Sequence, residues 1–241
     1  MKLQSLFAIG SLFLALVSAA QPAAATGQLF SVGNTDITVK ARNEFCAFGN
    51  EHDFDQKWLN WQAKSNEGQN QLVGAYALCD ELAQLRAGTP LNMSRWIILL
   101  APTSTIPAKA QPVVGYTRAE FIEGVSKEFE SGIDLDVDEV ARRSSEALSE
   151  TVGEKTDPIK LGGVGRPELL GKTDRGMYAA LVLEVKAADR VQKVAGVIGI
   201  TLVKQHAVSI NVFRNYDEPD TINQLLLQAK DMVDYVVLAN D

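Results

Sequence analysis

Residues 177–240 read MYAALVLEVKAADRVQKVAGVIGITLVKQHAVSINVFRNYDEPDTINQLLLQAKDMVDYVVLAN. This stretch decides the fold, because it holds three strands and one long helix. From Met177 to Lys186, Met177, Ala179, Leu181, Leu183 and Val185 share one face at period 2. The other face starts apolar with Tyr178, Ala180 and Val182 and ends charged with Glu184 and Lys186. A turn at 187–190 leads to a second strand, Gln192 to Val203, in which Gly196 and Gly199 point to a bulge or a close backbone approach. Lys204-Gln-His206 is a short hairpin connection. His206 to Arg214 then alternates, with Val208, Ile210 and Val212 inward and Ser209 and Asn211 outward. Pro219 suits a first helical turn, and Glu218 and Asp220 suit the positive end of the helix dipole. Ile222, Leu225, Leu226, Ala229, Met232, Val233, Val236 and Ala239 make an apolar stripe, with Gln224, Gln228 and Asp231 on the wet side. A meander with an apolar face needs a cover, and this helix supplies it. The expected class is α+β, an antiparallel sheet covered by helices.

Outward from that stretch, composition bounds the setting. Hydrophobic residues make up 46% of 241 positions, ample for a core, and the formal net charge is −7. A chain this acidic is repelled by a phosphate backbone, so nucleic acid is not an expected partner. Met1-Lys2 precedes an apolar run, Leu3 to Ala20, and then Gln-Pro-Ala-Ala-Ala25. Residues 1–25 therefore read as a secretory signal peptide, cut after Ala20 or Ala25, with an uncleaved N-terminal anchor as the other reading. No later stretch is long and apolar enough to span a bilayer, so no stable insertion is expected after cleavage. The expected location is periplasmic or secreted. Cys46 and Cys79 are the two cysteines. Export with an even count points to a disulfide that closes a loop of about 33 residues. The competing redox or metal pair lacks C-x-x-C spacing and a second ligand pair.

Residues 26–241 read as a single domain. Leu29 to Val32 and Ile37 to Lys40 are strands about a Gly33-Asn34 turn. Asp53 or Asp55 opens a helix to about Asn66, with Phe54, Trp58 and Trp61 on one face. Exposed tryptophans at that spacing stack on sugars or lipid headgroups, and buried ones pack a core. Core packing is the expectation. Gln71 to Leu78 is a strand that returns Cys79 to Cys46, Asp80 caps a short helix ended by Gly88, and Ser94 to Leu100 is a buried strand. Residues 101–160 form a peripheral Pro-rich loop and helical insertion, with helices Arg118 to Glu130 and Asp136 to about Glu150. Thr151 to Gly165 is loop, and Pro167 to Leu170 a short strand.

No motif for a cofactor or a reaction is complete. Asp134-Leu-Asp-Val-Asp138 lacks the Gly and Glu of a calcium loop, with Glu139 and Ser145 in their places. Gly171-Lys-Thr173 lacks the phosphate-loop spacing. His52 with Glu51, Asp53 and Asp55 is the one acid–base or metal candidate, with His206 as a distant ligand. No catalytic, cofactor or metal-binding residue is assigned on these grounds.

Two blocks carry a resemblance. Phe45-Cys46, Asn70 to Leu82 and Arg86-Ala-Gly88 form one; Gly196 to Lys204, Val208 to Phe213, Tyr216-Asp217 and a helix ending Ala239-Asn240 form the other. Together they resemble an uncharacterised family of secreted proteobacterial proteins. The strand order and closing helix are also similar to the PsbP-like α/β sandwich. The resemblance implies a binding or assembly module without catalytic residues. The expected function is thus an exported, non-enzymatic module acting on an envelope protein or a small ligand. A periplasmic hydrolase or metal enzyme at His52 is the alternative. A third reading is a ligand carrier with a cleft between the sheet and residues 118–150.

Overall fold

The long antiparallel meander forms as its alternation requires, and other strands extend it on both sides. The structure is a computed structural model that describes residues 27–89, 93–103, 105–132, 136–152, 160–162, 167–187 and 190–241. The leader-like residues 1–25, Asp134, Gly163 and Gly165 lie outside the described residues. The elements run β1 (Gln28–Val32), β2 (Thr35–Val39), β3 (Phe45–Ala47), α1 (Asp53–Asn66), β4 (Asn70–Leu78), α2 (Cys79–Arg86) and β5 (Arg95–Pro102). They continue with α3 (Arg118–Ser131), α4 (Val137–Val152), β6 (Lys160–Gly162), β7 (Glu168–Lys172), β8 (Met177–Ala187), β9 (Arg190–Val203), β10 (His206–Asn215) and α5 (Thr221–Asn240). The main sheet has the order β3-β4-β5-β10-β9-β8-β6, with β7 also on β8, and every pairing in it is antiparallel. β1 and β2 form a separate hairpin. The class is α+β, with α5 lying on the sheet.

Both faces of the sheet are covered. On one, Tyr178, Ala180, Val197, Ile210, Val212, Ile97 and Leu99 pack against Leu225, Ala229, Met232, Val233 and Val236 of α5 and against Val32, Ile37 and Val39 of the hairpin. The Asn240 side chain stitches α5 to β2, accepting from the Thr38 N–H at 2.9 Å and donating to the Thr38 carbonyl at 2.8 Å. On the other face, α3 seats Ile122 on Met177 and Ala179, while α1 and α2 cover Ala75, Ala77 and Ile98 with Trp58 and Leu82. Residues 101–160, expected at the periphery, thus supply one helix that is seated on the sheet.

Covering the second face explains several departures from the sequence reading. Asn211 was expected outward, yet it is buried and its amide donates to the Ile98 carbonyl at 3.1 Å and to Ser209 Oγ at 3.1 Å. Gln228 was expected on the wet side of α5 but is 4% exposed, while Val237 is buried and Ala239 open. A 20-residue helix lying across a twisted sheet presents a wider buried arc than its most regular stripe. α5 starts at Thr221, two residues after Pro219. Asp80 lies inside the first turn of α2 rather than capping it. β6 falls in a segment expected to be loop. Gly196 and Gly199 mark no bulge, since the β8–β9 and β9–β10 registers run unbroken. They mark close approach: a Cβ on Gly199 would meet Val233 Cγ2 at 2.8 Å, and one on Gly196 would meet the Phe213 ring at 2.9 Å.

Candidate functional site

The site begins with what holds α1 in place. Cys46 in β3 and Cys79 at the start of α2 are disulfide-bonded, with Cα atoms 4.8 Å apart. The bridge brackets α1 and β4. Within that loop Asp55 is fully buried. It accepts from Arg86 Nε at 3.0 Å, from Arg86 Nη2 at 2.6 Å and from the Gly49 N–H at 2.8 Å, and Arg86 also donates to the Ala47 carbonyl at 3.1 Å. The Asp55 carboxylate holds the Arg86 guanidinium above its ordinary pKa, against the opposing pull of burial. A two-bond Arg–carboxylate pair is strong and directional. It fixes the rotation of α1 about its axis, which aims Phe54, Trp58 and Trp61 at the sheet.

Those three rings form the wall of a half-open cleft of about 490 Å³. Its floor is the sheet: Trp96 and Ile98 of β5, Phe213 of β10, Val194 of β9, and Leu183 and Val185 of β8. Trp96 and Phe213 are cross-strand partners and stack with centroids 5.3 Å apart. Trp58 stacks on Phe48 at 4.2 Å and meets Trp61 edge-on at 6.3 Å. The rim is α4 and Leu161 of β6. Trp61 Nε1 donates to the Ser144 carbonyl at 2.9 Å, and Lys64 pairs with Glu150 at 2.8 Å, so α4 is tied across α1. The polar liners are Gln62, Ser144 and Gln192, and no ionisable side chain lines the cleft among the described residues. All three tryptophans of the chain line this one cleft. A pocket of this size, walled by rings with a few neutral polar groups, suits an apolar molecule.

The residues singled out for chemistry do not converge. Glu51, His52 and Asp53 are exposed at the start of α1, whereas Asp55 is turned inward onto Arg86. His206 is 3% exposed, and its Nδ1 lies 3.0 Å from the Lys204 carbonyl, which can only accept. It lines a separate cavity of about 230 Å³ with Asn34, Thr35, Lys109, Ala110, Gln111 and Pro112, a lining without a carboxylate. Among the described residues, no group of three or more His, Cys, Asp or Glu is placed to hold a metal. Asp136 caps α4 through the Glu139 N–H at 2.9 Å. Gly171 and Lys172 end β7 and Thr173 opens the β7–β8 turn, with Lys172 ion-paired to Glu123.

Sequence reasoning found the wall of the cleft and missed its floor. The spacing of Phe54, Trp58 and Trp61 was legible, and Trp58, 7% exposed, does pack as core. Of the floor residues, Trp96 carried a signal in the near-continuous apolar run Trp96 to Leu100, and Leu183 and Val185 in their alternation on one face of β8. No family model matches the chain, and no similar protein is found among curated proteins.

Proposed function

We propose that the chain is an exported, disulfide-stapled binding module that holds a small apolar molecule in the cleft between the sheet and α1. The observation that carries this reading is the cleft itself: about 490 Å³, floored by Trp96 and Phe213, walled by Phe54, Trp58 and Trp61, and lined by no charge among the described residues. Periplasmic residence is part of the proposal, supported by the leader-like residues 1–25 and by the Cys46–Cys79 bridge, which an oxidising compartment favours. Among the described residues no helix is long and apolar enough to cross a membrane. Kinship with the secreted proteobacterial family and the PsbP-like sandwich also remains a proposal, resting on the blocks quoted above. The alternative, a hydrolytic or metal centre at His52, is the weaker proposal, because Asp55 is committed to Arg86 and the other three groups sit on an open turn.

A ligand of about 20 heavy atoms at ~0.3 kcal/mol per atom gives ~6 kcal/mol, a Kd on the order of tens of micromolar. Palmitate titrated into the purified protein is expected to change the tryptophan emission with a Kd in that range. Trp96→Ala and Phe213→Ala are each expected to weaken binding at least tenfold, while Leu238→Ala, on the exposed side of α5, leaves it unchanged. An emission that stays constant to millimolar palmitate, together with no small molecule retained in native mass spectra of periplasmic protein, would overturn the reading.

A further inference from the structure

On the opposite face of the sheet, beneath the first turns of α5, three arginines meet. Arg95 of β5 and Arg214 of β10 are direct cross-strand partners on the α5 side. Like charges placed directly opposite each other on a sheet are destabilising. Arg42, from the segment between β2 and β3, joins them around a cavity of about 170 Å³ whose other liners are Gln224, Leu225, Leu227 and Gln228 of α5. That volume equals about five or six waters at ~30 Å³ each, room for one oxyanion group.

Charge balance leaves this cluster underneutralised. Arg42 pairs with Asp231 at 2.5 Å, with both groups largely open to water. Arg95 reaches Glu44 only at 4.0 Å, and its guanidinium lies 5.6 Å over the Phe45 ring. Arg214 donates to the neutral Gln224 amide oxygen and has no carboxylate within ion-pair distance among the described residues. Gln228 lines the cavity and is 4% exposed. The cross-strand Arg95–Arg214 pair adds repulsion. That repulsion is relieved if an anion with several acceptor oxygens fills the cavity.

We infer that Arg42, Arg95 and Arg214 form a binding site for a phosphate-type oxyanion, separate from the aromatic cleft. Guanidinium forks match phosphate and carboxylate oxygens geometrically. The unpaired Arg214 and the weakly paired Arg95, facing one cavity, favour the doubly charged phosphate over a singly charged carboxylate. The same chemistry is met in a free phosphate compound and in an anionic lipid headgroup.

The test is calorimetric titration of the full chain with inorganic phosphate at constant ionic strength, with acetate as the singly charged comparator. Phosphate is expected to bind at least tenfold more tightly than acetate. Arg214→Gln and Arg95→Gln are each expected to weaken phosphate binding by tenfold or more. Without phosphate, Arg214→Gln is expected to melt at or above the wild-type temperature, since it removes the cross-strand repulsion, and to lose the phosphate-induced rise. Sedimentation with phosphatidylglycerol or phosphatidylcholine vesicles separates the sources. Capture by the phosphatidylglycerol vesicles alone, lost in Arg214→Gln, assigns the site to a lipid headgroup. Equal binding of phosphate and vesicles by wild type and both variants would overturn the inference, and so would a wild type that binds neither.

Discussion

Tyr76 shows how one side chain sets a pH limit on this protein. It is 4% exposed in β4, edge-on to Phe30 with centroids 5.9 Å apart, and its hydroxyl has no partner among the described residues. Burial, with a smaller contribution from Tyr235, pushes its phenol well above the ordinary value, and burial raises Tyr178 in the same direction. A group whose pKa is raised on folding contributes stability that is complete below the unfolded value and is lost as pH climbs past it. For tyrosine that unfolded value is about 10. The urea midpoint is therefore expected to hold steady from pH 8 to about 9.5 and to fall above about pH 10. Tyr76→Phe is expected to blunt that fall, and at pH 7 to match or exceed wild type by about 1 kcal/mol, because it removes an unpaired hydroxyl. A midpoint that rises with alkali, or a Tyr76→Phe variant that loses more than about 1 kcal/mol at pH 7, would contradict this account. Asp55 teaches a different lesson. Its sequence neighbours suggested a partnership with His52, but its guanidinium partner lies 31 positions away in α2. Nothing local in the chain announces such a pairing.

Among the elements, the β9–β10 hairpin is clearly legible and carries a correctable strain. Lys204 and Gln205 form its two-residue turn with φ of +44° and +63°. Two positive φ values in a row are what the right-handed twist of the flanking strands demands, and they favour Asn-Gly over Lys-Gln. Gln205→Gly is therefore expected to raise stability by about 1 kcal/mol, read as a shift in the urea midpoint at unchanged slope. No gain, or a loss, would show that the turn is not strained. α1 was readable to within two residues, since Asp53 or Asp55 was expected to open it and about Asn66 to end it, because its aromatic spacing is regular and its neighbours are polar. The Thr117–Glu120 capping box that starts α3 was also written in the chain, with Thr117 Oγ1 accepting from the Glu120 N–H at 3.3 Å and Glu120 accepting from the Thr117 N–H at 2.8 Å. A helix read from Arg118 leaves this cap one position outside it. Gln228 could not have been placed from its own helix, since Arg42, Arg95 and Arg214, which line the same cavity, come from three other segments.

Taking the molecule together, the Cys46–Cys79 bridge is the strap on its amino-terminal half. It spans a separation of 33 residues, and the loop it closes contains α1 and β4. Reduction, or Cys46→Ala with Cys79→Ala, is expected to lower stability by about 3.5 kcal/mol. The comparison is one of urea midpoints with and without reductant; no change would mean that the loop stays ordered without it. The amino-acid order was enough to establish an antiparallel meander roofed by a terminal helix, the cysteine pairing and the aromatic stripe of α1. Each is a local periodicity or a count, and such signals survive without knowledge of neighbours. The cleft and the arginine cluster are different. The cleft draws on α1, α4, β5, β8, β9 and β10, and the cluster on three segments and α5. Strand order and register decide which residues face each other, and they follow from free-energy differences between whole packings. That is why Trp96 and Phe213, 117 positions apart in the chain, are neighbours only in the assembled sheet.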